Sequence, residues 1–412
     1  MSDRPEIDFD HHSPECNADP VAAFEAIRTK CPVAWSNRLG GFWVISNREL
    51  LQRVVRDTDS FVNRRTEYTP EGTIAITQPP LPAPFVAYPD ESDPPLWKGY
   101  REIANEVLSR HVIDQFRPMV ERWTEHFIDQ VIEQGSCDLM YDFASPMPAC
   151  VMLEFLGFPI DDWERYSRAL HDVHGNPAGS DRFEEAVRGT AWIGEQIREI
   201  VLDRRRSPRD DVVSHFFQQE VDGRPVDDDQ VMSIVWNVLT GGLETTTGGI
   251  GSALMHLSTH EQDRQRLIDE PELMELAVEE FLRFYPPVSG MARTVMQDTT
   301  IGGCEMKRGE RLMFSILSAN RDEKFVAEAN TFIIDRKPNR HVTFGLGIHH
   351  CVGEHLARLE MRIGLARVLA RIPDFTIDVA TSERYSDTGQ SGGWMNLPAT
   401  FTPGKSAGTR EA

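Results

Sequence analysis

Cysteine is scarce and scattered in this chain: 6 in 412 residues, at positions 16, 31, 137, 150, 304 and 351. With no close pair, that is not a disulfide framework, and it predicts a reducing, cytoplasmic setting. Positive charge is also in short supply, with 43 Lys and Arg against 65 Asp and Glu and a net charge of −22. Neutralising phosphates needs a surplus of cations, so a nucleic-acid partner is excluded and an anionic membrane surface is disfavoured. No apolar run approaches the ~20 residues that span a bilayer, which predicts no membrane anchor. The start, Met1 to Asp10, has neither the basic nor the apolar stretch of a secretory signal. Repeats, low-complexity tracts and long Ser/Gly linkers are missing too. What is present is ordinary globular composition, 40% apolar and 26% charged. At roughly 100–200 residues per domain, the length suggests two or three domains or one large one.

Residues 1–20 and 404–412 are small and polar and read as tails. The β-branched and aromatic run Gly41-Phe-Trp-Val-Ile-Ser46 reads as a strand. Residues 70–95 carry eight prolines, which suit neither a helix interior nor a central strand. Interleaved Ile74, Ile76, Leu81, Phe85 and Val86 predict a loop that covers something. From about 96 to 285 apolar residues recur at threes and fours, as in Met119, Trp123, Phe127 and Val131, or Ile193, Ile197, Ile200 and Val201. Strand-like runs return at 300–303, 311–314 and 375–378. The fold class is therefore mainly α with small β-sheets, an α+β architecture.

The most informative stretch is Phe344-Gly-Leu-Gly-Ile-His-His-Cys-Val-Gly353, followed by a helical run to about Arg371. Gly345, Gly347 and Gly353 let the backbone approach a bulky planar group and turn amide N–H groups toward a sulfur. Cys351 falls just before a helix N-terminus, where free N–H groups and the helix dipole favour a thiolate. The other five cysteines read as small buried hydrophobes. A zinc site is the sharper competitor, because His349, His350, Cys351 and His355 cluster. Their spacing matches no tetrahedral zinc pattern, however, and zinc gives no role to the glycines.

This segment resembles the haem-binding loop of the cytochrome P-450 family, whose pattern F-x-x-G-x-[HR]-x-C-x-G is met by Phe344, Gly347, His349, Cys351 and Gly353. The resemblance implies the family fold, a triangular prism of helices around a buried haem b (iron protoporphyrin IX). It implies that Cys351 is the metal ligand and that His349 holds a propionate, with Phe344, Gly345 and Gly353 shaping the cofactor site. A thiolate opposite bound dioxygen favours O–O cleavage.

A second stretch, Gly241-Gly-Leu-Glu-Thr-Thr-Thr-Gly-Gly249, lies inside a run from Asp229 to about His260 that reads as one helix. Each interior Gly costs about 1 kcal/mol relative to Ala. Two helices joined by a Gly-rich loop, or small residues for close packing, account for it equally well on the residues alone. It resembles the family's [AG]-G-x-[DE]-T-[TS] signature. That implies room for dioxygen at Gly241, with Thr245 as the alcohol and Glu244 as the acid that serve proton delivery.

Glu280-Phe-Leu-Arg283 resembles the family's E-x-x-R, which implies a buried structural network of Glu280, Arg283 and Arg336. Asp93-Pro-Pro-Leu-Trp-Lys-Gly-Tyr-Arg101 resembles D-P-P-x-H-x-x-x-R, with Trp97 where most bacterial members have His. An indole N–H still donates but carries no charge. Trp97, Arg101 and Arg293 are the implied propionate partners. Resemblance runs from about residue 20 to 403, which implies one domain over 21–403.

The implied activity is monooxygenation of an apolar small molecule, terpenoid, steroid or aromatic-like. Dioxygen is the co-substrate, and electrons come from NAD(P)H through a separate reductase and ferredoxin. The pocket expected by family position draws on Ile74, Ile76, Phe85, Val86, Val238, Leu243, Val288, Ser289, Met291, Trp394 and Met395, with Ser289 and Asn396 as the polar handles. A ferredoxin is itself usually acidic, so Lys98, Arg110, Arg358 and Arg362 are expected to form a basic docking patch on a monomer. Peroxide-driven oxidation or isomerisation on the same haem, and a non-catalytic haem sensor, are the alternatives.

Overall fold

A computed structural model describes residues 4–177, 179–386 and 390–408. Six short strands form the main sheet: β1 (Glu6–Ile7), β2 (Val33–Ser36), β3 (Phe42–Ile45), β4 (Phe61–Val62), β5 (Gly290–Val295) and β6 (Arg311–Ser315). Their spatial order is β1-β2-β3-β6-β5-β4. Strand β3 is buried at all four positions, as its continuous apolar run requires, and pairs in parallel with β6 and antiparallel with β2.

Residues 4–20 are not a tail. Strand β1 pairs in parallel with β2, Ser13 caps a short helix at Pro14–Ala18, and Phe9 and Cys16 are buried against Phe24 and Phe42. At the other end Gly404 N donates to Ile132 O and Ala407 N to Asp129, while residues 409–412 lie outside the described range. Composition misjudged the described N-terminal segment, because a few well-placed apolar side chains suffice to dock a polar stretch.

Eight helices position the site: α1 (Trp97–Leu108), α2 (Arg117–Val131), α3 (Pro146–Leu156), α4 (Trp163–Gly175), α5 (Asp181–Arg206), α6 (Asp228–Thr259), α7 (Met274–Phe284) and α8 (Glu354–Arg371). The largest apolar cluster joins residues from all eight. Helix α6 runs unbroken through its Gly-rich stretch, so the two-helix reading is wrong. It starts from a capping box, in which Asp227 accepts from Gln230 N at 2.8 Å and Gln230 Oε1 accepts from Asp227 N at 2.9 Å. The glycines persist because neighbours come close. A Cβ at Gly242 would stand 2.0 Å from Met152 Cε, and one at Gly248 would stand 2.6 Å from Gly392 O. Gly241 differs, with nothing within 4 Å of the same position.

The proline-rich loop is ordered around one carboxylate. Glu91, 1% exposed, accepts from Ala75 N at 2.5 Å and from Ala87 N at 2.9 Å, and it pairs with Arg65 at 3.3 Å. The loop packs on α5, where Pro84 lies 2.7 Å from a Cβ at Gly194.

Candidate active site

The turn before α8 takes its shape from two glycines, Gly345 at φ +75° and Gly347 at φ +74°. It closes with Cys351 N donating to Phe344 O at 2.7 Å. Phe344 is fixed from outside by the Arg358 guanidinium, 4.2 Å from its ring centre. The Cys351 side chain has open surface although protein surrounds it, so the space it faces is internal. Burial pushes its thiol up to about 11, with Asp90 adding to the effect and the Gly353 backbone opposing it. A neutral thiol is the resting state of such a site until a metal displaces the proton.

Beside that space stands a set of polar groups without protein partners. Trp97 Nε1 and both ring nitrogens of His349 are buried and unbonded. The His349 ring meets Trp97 edge-on at 6.1 Å. Burial and the nearby Arg293 and Arg101 push the His349 imidazole down to about 3, so its 4.0 Å approach to Asp93 is no ion pair. Arg293, 3% exposed, donates among the described residues only to Ala292 O, at 2.7 Å, and stacks on Phe314. Its guanidinium is pushed down to about 10 by burial, against the pull of Asp93 and Asp90. Arg101 donates to the His350 carbonyl. Leaving buried donors unpaired costs ~1–3 kcal/mol each, so the set is built for an anionic ligand. The chemistry of this donor set fits haem: one soft sulfur, two arginines and two ring N–H donors for carboxylates, and a backbone thinned at Gly345, Gly347 and Gly241.

Glu244 and Thr245 from α6 contribute to a cavity of about 170 Å³. Thr245 Oγ1 donates to Gly241 O at 2.7 Å, one turn back. Glu244, 7% exposed, is bonded by the Tyr385 hydroxyl, with His171 Nδ1 at 3.3 Å.

The family model for Cytochrome P450 matches residues 190–398. The chain is 32% identical to the polyketide biosynthesis cytochrome P450 PksS of Bacillus subtilis, over 71% of this chain and 72% of that protein. The chain belongs to the cytochrome P450 family. It is thus an oxidoreductase of the monooxygenase kind, and family members use haem b and dioxygen with electrons from NAD(P)H. A steroid C26-monooxygenase of Mycobacterium tuberculosis is 29% identical over 98% of this chain and 99% of its own. Among solved structures, PksS superposes with a TM-score of 0.83 at 26% identity, covering 96% of this chain and 100% of that one. An EryK mutant in complex with erythromycin B gives 0.82 at 27%, covering 96% and 98%.

The E-x-x-R network is fully formed. Arg283 donates to Glu280 at 2.7 and 2.8 Å, and Arg336 Nε lies 3.1 Å from both Glu280 oxygens. Arg283 spends its remaining donors on the carbonyls of Asn320, Ala329 and Thr331. Glu280 and Arg283 are wholly buried.

The pocket is where expectation and structure part. Of the eleven residues expected, Ile76, Val288 and Met291 line the cavity. Ile74, Phe85, Val238, Leu243 and Trp394 pack into or against the helical core instead, and Val86 is half-buried. Ser289 is 3% exposed, its backbone bonded to Gln390 O, and Met395 gives its carbonyl to His171 at 2.9 Å. Asn396 closes a turn through Glu383 N and Thr381 O, and neither it nor Ser289 lines this cavity. The chain supplies other handles: Thr77, His174, Thr240, Tyr385, Gln390 and Ser391. His174 Nδ1 and Ser391 Oγ are 2.9 Å apart.

The expected basic patch is thinner than the sequence implies. Arg358 is 24% exposed and bonded to Glu279 and Glu354 at 2.6 Å each, so its charge is spent. Arg362 is held by Glu275 at 3.1 Å. Lys98 and Arg110 remain 75% and 80% exposed, each only loosely paired one turn away.

Residues the sequence did not single out include Asp90, whose carboxyl is pushed up by burial against the pull of Arg101 and Arg293. Another is Glu360 in α8, 1% exposed and pushed well above the carboxylate range by burial, against an opposing influence from Thr246. Among the described residues, no helix is long and apolar enough to cross a membrane.

Proposed function

We propose that this chain is a cytoplasmic, ferredoxin-dependent haem-thiolate monooxygenase acting on a terpenoid- or steroid-like molecule that carries at least one hydrogen-bonding group. The observation that carries the cofactor reading is the convergence of unpartnered buried donors at Trp97 and His349 beside Arg101, Arg293 and Cys351. Cys351 would ligate the iron, and those four residues would hold the propionates. Bound haem supplies dioxygen activation and transfer of one oxygen atom, chemistry that no side chain here can perform. Thr245 presents its hydroxyl to the cavity with its proton parked on Gly241 O, ready to turn inward. Glu244, one residue before it on α6, is the acid that supplies protons.

Substrate class follows from the cavity wall. Ile76, Leu81, Pro287, Val288 and Met291 offer an apolar body site, while Thr240 and the His174–Ser391 pair offer hydrogen bonds. Relatives named steroid C26-monooxygenase and Cytochrome P450-terp support compounds of that kind. Electrons come from an acidic ferredoxin docking over Lys98 and Arg110, delivered by an NAD(P)H-dependent reductase.

Two spectra test this reading. The reduced protein with carbon monoxide should show the strongly red-shifted Soret band of thiolate ligation, and well-folded haem-loaded protein lacking it would refute Cys351. A screen of hydroxylated or keto steroids and terpenoids should give a blue shift of the Soret band, stronger than for the parent hydrocarbons. Product formed only with peroxide, and none with NAD(P)H, reductase and ferredoxin, would favour the peroxide-driven alternative.

A further inference from the structure

The Glu244 carboxylate does not stand alone: it is one corner of a closed triangle with two side chains from distant parts of the chain. His171, on α4, places Nδ1 3.3 Å from Glu244 Oε1. The Tyr385 hydroxyl bonds the same oxygen and lies 3.1 Å from the same nitrogen. All three are buried, at 1% exposure or less for His171 and Tyr385 and 7% for Glu244.

The proton count in this triangle is constrained. His171 Nε2 faces the Met395 carbonyl at 2.9 Å, which can only accept, so Nε2 carries a hydrogen. Were the imidazole neutral and Glu244 ionised, Nδ1 and Oε1 would meet lone pair to lone pair. The single phenol hydrogen of Tyr385 cannot serve both. A second proton inside the triangle removes the conflict. Resting on the reading of Glu244 as the delivering acid, we propose that His171 is a positioning residue for proton delivery: it stores that second proton as an imidazolium and passes it from Nδ1 to Glu244 Oε1, with Tyr385 orienting both.

In that transfer the N–H bond of Nδ1 breaks and the O–H bond of Glu244 forms, leaving neutral His171 tied to Met395 through Nε2. The surroundings favour the charged imidazole. Burial lowers its proton affinity, but Glu244, the Met395 carbonyl and Asp172 outweigh this and raise it above the usual histidine range. The other groups facing the triangle are Tyr141, against the His171 ring at 5.6 Å, and Asp172 on α4. Arg168 and Arg182 act on Asp172 and Tyr141. Tyr141 is 40% exposed, so the imidazole lies one side chain from solvent for reloading.

The test uses holoenzyme labelled with ¹⁵N-histidine in its diamagnetic reduced carbonyl form, with the His171 signals assigned by their loss in His171→Gln. At pH 7 both ring nitrogens of His171 should be protonated in the wild type, and only Nε2 in Glu244→Gln. A singly protonated His171 in the wild type would overturn the proposal, whatever the protein oxidises. In turnover, product per NAD(P)H should fall about tenfold in His171→Gln, and its decline with rising pH should disappear. Tyr385→Phe, which keeps the His171–Glu244 contact, should retain that decline. An unchanged pH profile in His171→Gln would also overturn it. Failure of the carbon monoxide band or of all turnover would instead strike the proposed function and leave the nitrogen measurement standing.

Discussion

The hydroxyl of Thr245 and the carbonyl of Gly241 are bonded at 2.7 Å across one turn of the same helix, beside a position where a side chain would meet nothing. Such a back-bond slightly disfavours the helix, so it adds little to stability. Thr245→Ala should change unfolding free energy by less than about 1 kcal/mol, because a better helix former replaces a weak bond. Product per NAD(P)H should drop sharply, with the lost electrons recovered as hydrogen peroxide or water. Equal coupling in mutant and wild type would remove Thr245 from the mechanism.

Among the described residues, Glu280 is the sole acidic partner of two buried guanidiniums. Glu280→Gln leaves Arg283 and Arg336 without a counter-charge in the interior, at a cost of about 3–5 kcal/mol. Thermal unfolding should show the loss even in haem-free protein, because the network ties α7 to the 329–336 segment through the protein's own side chains and carbonyls.

Trp97→Phe removes an indole N–H that has no partner among the described residues. If that donor serves a propionate, haem should escape about tenfold faster to an acceptor such as apomyoglobin. Trp97→His, which restores a ring donor, should recover most of the retention.

Glu279 gives the acid limb of stability. Burial alone would raise its carboxyl, but bonds to His341 and Arg358 hold it down at about 2. A carboxyl depressed in the folded state stabilises above its unfolded value and loses that contribution as pH falls through the folded one. Stability should therefore decline between about pH 4.5 and 2, by on the order of 3 kcal/mol. Glu279→Gln should flatten that limb, as read by urea unfolding at successive pH values.

The legible parts of this protein were those whose residues lie close together in the chain. The Phe344–Gly353 loop and Glu280–Arg283 each keep their defining residues within a short stretch, so resemblance to the family's short patterns exposed them. The helix around Gly241 was legible only in part, because the packing that offsets its glycines comes from Met152 and Gly392. The cavity wall was largely hidden. Several polar members, Tyr385, Gln390 and Ser391 near the end of the chain and His174 on α4, are distant in sequence, and nothing local to His174 or Ser391 announces their pairing. The Tyr385–His171 contact spans 214 positions and has no periodic signature at all. Arg358 failed for the opposite reason: a helix arginine reads as surface charge until the partner helix supplies Glu279.

The docked N-terminal segment bears on how the chain can be joined to an electron donor. Glu6 and Ile7 complete an edge of the main sheet, and Ser36 Oγ donates to Phe9 O at 2.6 Å, so a fused module crowding these residues would compete with native pairing. The stretch ending at Gly408 forms no strand pairing among the described residues; backbone donors reach Ile132, Glu133 and Asp129, and Arg371 donates to the Lys405 carbonyl. A tether for a self-sufficient chimera is therefore better grown from the carboxyl end.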